Sequence, residues 1–372
     1  MHILKTMLCA AAGVALMSSP ANAQQVTDCP LRDAPFGADT PLIDILLSER
    51  ATAAIEGALG MSFDDVPKQF ISSQAPTFAA ILTMTEASGM FRQPPEATAR
   101  AIAALEAVEV TEADRIARCA RYDNERPQFD LPDGKPAILV FEKINGFKDV
   151  PSFDAAHALL ERLAEKNGWA LVFTDKGGAM TPDVLSQFDA VIWNNISGDV
   201  LTLSQRDAFR DYIEGGGGYL GIHGSGGDPV YFWDWYIDTL IGARFAGHPR
   251  NPQFQEARLY VADADHPAAH GLPAEWRMSD EWYAFKTNPR DSGARVVLGI
   301  DESTYDPNAG YPVDLAMGEE HPLAWSKRIG QGRSFYTAIG HMPETYAQPQ
   351  HVALLENAID WAAGLSDCEC ED

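Results

Sequence analysis

The chain has 372 residues, 46% of them hydrophobic, and a formal net charge of −25 from 28 Lys and Arg against 53 Asp and Glu. A chain of this length can bury a large core and divides into more than one domain. The acid excess leaves no basic patch to neutralise phosphates, which argues against a nucleic-acid partner and against anionic membrane surfaces.

Residues 1–23 read as an export signal. Lys5 gives a positive start, Met7 to Met17 is apolar, and Ala21-Asn22-Ala23 ends in small residues. Cys9 follows the bulky Leu8, so no lipid anchor is expected. The mature chain would begin near Gln24 and be periplasmic or secreted. Four cysteines then remain: Cys29, Cys119, Cys368 and Cys370. Cys29 and Cys119 bracket one segment and are expected to form a disulfide in an oxidising compartment. Cys368 and Cys370 lie in an acidic tail, 365–372, where mutual pairing and metal binding both stay open.

Residues 24–126 read as a helical N-terminal domain. Thr40-Pro41 is a cap and first-turn pair. Ala51 to Leu59, Phe78 to Met84, Ala97 to Val108 and Thr111 to Tyr122 continue the helical pattern. A proline-bearing linker, 127–136, follows.

From residue 137 the pattern alternates. Ala137 to Phe141, Ala170 to Phe173, Ala190 to Trp193 and Tyr219 to Ile222 are short apolar strands. Helices at 153–166, 182–188 and 204–214 separate them. This order predicts a parallel sheet with helices on both faces and with Leu139, Val172, Ile192 and Leu220 buried. Later strands are expected at 258–261, 276–285, 296–300, 324–326 and 334–337, the last two as a hairpin through Gly330-Gln331-Gly332. A closing helix spans 351–362. This half should extend the sheet and fold an arm over its active edge.

The fourth strand stops in Ile222-His223-Gly224-Ser225-Gly226-Gly227-Asp228. That delivers His223 and Asp228 to the carboxyl edge of the sheet, where open α/β folds bind ligands. Several runs, in order, resemble the trehalose-utilisation (ThuA-like) family: Ile192 to Asp199, Gly217 to His223, Leu240 to Phe245 with His248-Pro249, Asp280 to Tyr283, and Gly332 to His341. The resemblance covers about 136–364 and places an α/β domain at 137–364. It implies a class I glutamine amidotransferase-like fold, with a flavodoxin-like parallel sheet. It also implies a role in sugar metabolism, notably of trehalose and oxidised disaccharides. Members often carry a Phe-Arg-His-like run after the first strand; here Phe147-Lys148-Asp149 stands there, with Asp149 in the histidine's place.

An amidotransferase needs a nucleophilic Cys where His223 stands, and no Cys lies between Ala120 and Asp367. Ser225 lacks the full Gly-x-Ser-x-Gly spacing of a serine nucleophile. His223, Glu281 and His341 are the expected catalytic groups, because His and carboxylate together suit acid–base chemistry or a divalent metal such as Zn. Asn195, Asp228, His248, Asp280, Trp282 and Tyr283 are the expected substrate-binding groups. Glu281, set among aromatics, is expected to have a raised pKa. For the aromatics Trp233, Trp235, Trp282 and Tyr283, core packing and sugar stacking both stay open, and His266 and His321 read as structural turns. Two functions remain: an exported enzyme acting on a sugar or keto-sugar, and a non-catalytic carbohydrate-binding protein.

Overall fold

The computed structural model describes residues 26–366. The export signal and the tail cysteines Cys368 and Cys370 lie outside them. Five short helices come first: α1 (Leu42–Leu46), α2 (Glu49–Leu59), α3 (Met84–Met90), α4 (Pro95–Glu106) and α5 (Glu112–Cys119). α2 and α4 pack together through Ala51, Ile55, Ala101 and Leu105, all fully buried. Thr111 and Asp114 cap α5 reciprocally, an arrangement that stabilises by about 1 kcal/mol. The region is less regular than expected. Gly60, at φ 67°, ends α2, and Phe78 to Met84 is not a helix but one 3-10 turn before α3 begins. Cys29 and Cys119 form the expected disulfide, with Cα atoms 5.3 Å apart.

The second part begins with β1 (Ala137–Phe141), α6 (Val150–Asn167), β2 (Ala170–Thr174), α7 (Pro182–Leu185), β3 (Ala190–Asn194), α8 (Leu203–Glu214) and β4 (Gly218–Ile222). A π-helical segment, Trp235–Ile241, leads to β5 (Phe245–Gly247), β6 (Phe254–Val261), β7 (Glu275–Glu281), β8 (Ala284–Phe285), β9 (Arg295–Asp301), β10 (Pro322–Ile329), β11 (Gly332–Thr337) and α9 (Pro349–Ala362). The main sheet has the order β2-β1-β3-β4-β11-β10-β9-β6-β7. From β2 to β11 every neighbour is parallel; from β11 to β7 every neighbour is antiparallel. The fold is thus a layered α/β sheet of the expected class, preceded by a helical segment.

Two adjacent residues of β3 show helices on both faces. Trp193 stacks on Phe209 of α8, while Asn194 donates to the Phe153 carbonyl of α6; consecutive strand residues point to opposite faces. Leu139, Ile192 and Leu220 are fully buried. Val172 is only half-buried, contrary to expectation, because β2 is an edge strand. The helical segment docks on the sheet's carboxyl edge: the Thr77 N–H donates to Asn145 O at 3.0 Å, and Tyr122 Oη donates to Asp199 at 3.0 Å. No helix among the described residues is long and apolar enough to cross a membrane.

Candidate active site

β4 stops at Ile222, and His223 follows with φ 34°. A residue with a side chain holds that backbone only when its surroundings impose it. Here Tyr336 Oη donates to the His223 carbonyl at 2.7 Å, and His223 Nδ1 lies 2.7 Å from Ala338 O. A carbonyl only accepts, so Nδ1 carries a proton and a neutral ring presents the Nε2 lone pair to the cleft.

His341 arrives from β11 over Gly340, whose φ is 141°. A Cβ at Gly340 would stand 2.4 Å from Tyr346 Oη and 3.2 Å from His223 Cβ, so the close approach of the two histidines requires glycine. The buried Asp280 accepts from the N–H groups of Gly340 (2.6 Å), His341 (3.1 Å) and Met342 (2.9 Å), which holds this turn. The next residue, Glu281, ends β7 and turns its carboxylate toward the histidines.

His223 Nε2, His341 Nδ1 and Glu281 Oε2 form a triangle with edges of 3.2, 3.0 and 3.4 Å. Ligand atoms bound to one ion at about 2.0–2.1 Å stand about 3.0 Å apart in octahedral and about 3.3 Å apart in tetrahedral geometry. The three groups therefore meet the size and chemistry of a two-histidine, one-carboxylate metal site with an open side. Glu281 Oε1 accepts from Gln253 and lies 3.1 Å from His248 Nδ1. Tyr283 stacks on His223 with ring centres 4.2 Å apart. Phe147 and Phe254 flank the His341 ring.

The electrostatics of Glu281 run opposite to the sequence expectation. Burial favours its neutral form, but the imidazoles of His223, His341 and His248 gathered around it outweigh burial, and the pKa lies well below the usual value. Aromatic surroundings alone do not set it; imidazoles from three separate loops do. Burial lowers His341, and Glu281 reverses this and leaves it raised. Burial lowers His248. Asp228 is pushed up to about 7 by burial, against hydrogen bonds from Ser197 (2.6 Å) and Gly198 N (2.7 Å).

These groups share a cleft of about 860 Å³. Asn195, Asp228, His248 and Tyr283 line it together with the three central residues. Two other expected binding residues do not. Asp280 faces the His341 turn, because it neighbours Glu281 in a strand, and all its visible partners are backbone N–H groups. Trp282 is fully buried and donates from Nε1 to Gln255 O at 2.8 Å. Ser225 Oγ donates to Trp193 O and accepts from Ile196 N, so its hydroxyl is already committed. His266 accepts the Ala268 N–H; His321 bridges Glu302 and the Tyr283 carbonyl. Asp149 caps α6 by accepting from Ser152 N at 3.0 Å and also lines the cleft.

Sequence reasoning missed Gln253, Phe147 and Phe254, and it missed the contribution of the helical segment. Phe78, Ile81, Leu82 and Met90 form one wall of the cleft. Phe147 begins the Phe147-Lys148-Asp149 run that stands where relatives often have Phe-Arg-His, which is the signal that could have marked it, whereas nothing local marks Phe78, whose role depends on docking between distant segments.

Comparison with known proteins agrees with this architecture. Among solved structures, a ThuA-like protein from Bacteroides uniformis is 24% identical with a TM-score of 0.52, over 63% of this chain and 95% of that one. A ThuA-like protein from Parabacteroides merdae is 19% identical with a TM-score of 0.48, over 62% of this chain and 90% of that one. The first is a likeness of fold. No curated protein matches the chain. The family model described as "Trehalose utilisation" matches residues 137–362. Since that match spans more than half of the sequence, the chain belongs to the ThuA trehalose-utilisation family.

Proposed function

We propose that the protein is an exported carbohydrate-active enzyme in which His223, Glu281 and His341 hold a divalent ion such as zinc. It acts on a sugar or keto-sugar by acid–base chemistry. The observation that carries this reading is the triangle of donor atoms, whose edges match those of a bound first-row metal. A metal there supplies Lewis acidity toward a substrate oxygen. The chain's own groups do the rest. Ala338 fixes the His223 tautomer, and Asp280 fixes the His341 turn. Asp228, which titrates near neutrality, can give and take back a proton. His248 and Tyr283 offer hydrogen-bond partners to sugar hydroxyls, and Asn195, whose amide N–H groups go to Asn194 and Tyr346, offers the remaining acceptor capacity of its Oδ1. His223 in place of a Cys nucleophile supports chemistry other than glutamine amide transfer.

The Cys29–Cys119 disulfide supports a periplasmic or secreted location, since such bonds persist in oxidising compartments. The proposed partner is a small-molecule carbohydrate, with neither nucleic acid nor a membrane anchor involved. The test is turnover of keto-glycosides, disaccharides and aryl glycosides alike, by the purified chain with and without a chelator. Turnover that is lost on chelation and restored by zinc is expected. Turnover indifferent to the chelator contradicts the metal role. Sugar binding without turnover favours a non-catalytic carbohydrate-binding protein, a reading that the missing nucleophile also supports.

A further inference from the structure

We propose that the outer part of the cleft binds the apolar aglycone of a glycoside, whose sugar reaches the His223–Glu281–His341 floor. This rests on reading that floor as a sugar site. The ligand class is a glycoside carrying an aromatic or other hydrocarbon-rich group.

The distribution of exposed apolar side chains carries the inference. Among the described residues, eight large hydrophobic side chains are exposed, and three of them, Met90, Phe147 and Val313, line this one cleft. They are 39%, 37% and 58% exposed. Single exposed apolar residues need no explanation, but a cluster in a concavity marks a binding surface. The cluster is joined to the floor by aromatic rings. Phe78 stands 4.9 Å from Phe147, and Phe147 stands 6.2 Å from His341 and is stacked on it at 26°. A ligand seated on the metal-capable floor therefore meets a hydrocarbon wall as it extends outward.

A second sugar ring suits that wall poorly. Its hydroxyls lose water on entering and need polar partners in return. Phe78, Met90, Phe147 and Val313 offer none. Of the charged residues nearby, Glu86 accepts from Thr83, Arg250 lies over the Tyr311 ring at 4.7 Å, and Arg92 is exposed to solvent. The volume, about 860 Å³, falls within the range of roughly 300–1,000 Å³ that encloses a multi-ring ligand. The wall at Phe78 and Met90 comes from the helical segment, outside residues 137–362 of the family match. The aglycone preference would thus be a property of this chain's added segment.

The test is calorimetric binding of phenyl and methyl α- and β-D-glucopyranosides to the full mature chain, both metal-free and zinc-loaded. Phenyl glucoside of one anomer is expected to bind at least tenfold tighter than its methyl counterpart in both states. Met90→Lys and Val313→Lys, at exposed positions lining the cleft, are each expected to remove most of that preference without weakening the methyl glucoside. Equal affinities, no binding of any glucoside, or a preference untouched by both variants would overturn the inference. So would tighter binding of trehalose or cellobiose than of phenyl glucoside. Acetohydroxamate, a metal-binding probe without an aglycone, separates the two levels. If it binds the zinc-loaded chain while the phenyl preference is absent, only the aglycone site fails. If zinc and acetohydroxamate fail while the phenyl preference stands, only the metal reading fails.

Discussion

Asp280 accepts the backbone N–H of His341 at 3.1 Å, and the N–H groups on either side of it as well. One buried carboxylate thereby fixes the turn that aims the His341 ring at Glu281. An amide in its place has only one acceptor oxygen and turns a donor toward N–H groups. Asp280→Asn is expected to reduce zinc affinity about 10- to 100-fold, the usual cost of losing a partner that orients a ligand. Zinc titration of a variant that keeps its circular dichroism spectrum checks this. Unchanged affinity would remove Asp280 from the positioning role.

Gly340 is the second device at this turn. A methyl group there meets the Tyr346 hydroxyl and crowds His223, and φ 141° is unfavourable for any L side chain. Gly340→Ala is expected to cost about 2 kcal/mol or more of stability. Denaturant unfolding would show a lower midpoint with an unchanged slope. The same substitution at Gly293, with φ 82° but open space around it, should cost less.

The parallel half of the sheet was readable because β1, β3 and β4 lie between two helical layers and are apolar over nearly their whole length. β5 and β8 are too short to carry a pattern. β6 begins at Phe254, four residues before the expected Arg258, because Phe254 to Ala257 mixes exposed and buried residues. His223 was legible because its strand ends in glycines. Glu281 was legible as a group but not in its charge state, since its three imidazole neighbours come from distant loops. The same adjacency that marked Asp280 and Glu281 as a pair concealed that only one faces the cleft. The wall formed by Phe78 and Met90 had no signal, because contacts between segments distant in sequence leave no local periodicity.

Two buried histidines predict an acid-side loss of stability. His351 is fully buried, neither ring nitrogen has a hydrogen-bond partner among the described residues, and burial lowers its pKa from 6.5 to about 3. Burial lowers His266 to about 4. Both folded values lie below the unfolded one, so the unfolded chain binds more protons as pH falls. Their contribution is complete above pH ~6.5 and is lost as pH falls toward ~4 and then ~3. At pH 5 each would have lost roughly 2 kcal/mol. Denaturant unfolding at pH 7 and pH 5 of the wild-type chain beside His351→Leu isolates one histidine, since Asp228, pushed up to about 7, contributes with the opposite sign in both chains. The change in stability from pH 7 to pH 5 should differ by roughly 2 kcal/mol between the two chains; an identical change in both would show that His351 does not titrate on unfolding.

The Cys29–Cys119 bond spans 90 residues of sequence. By loop-closure entropy it contributes roughly 4–5 kcal/mol. A double Cys→Ser variant should lower the unfolding midpoint and loosen the helical segment first. Its phenyl-glucoside preference should fall while its zinc affinity stays, because the three donor residues all lie in the second part. Loss of zinc affinity on removing the disulfide would contradict this separation.

Whether His223, Glu281 and His341 form one metal site is decided by zinc titration of the metal-free chain beside Glu281→Gln and His223→Ala. One tightly bound zinc per chain is expected, with affinity reduced at least 100-fold in each variant while both remain folded. Absence of a tight zinc site in the wild-type chain, or zinc binding that neither variant weakens, would contradict it.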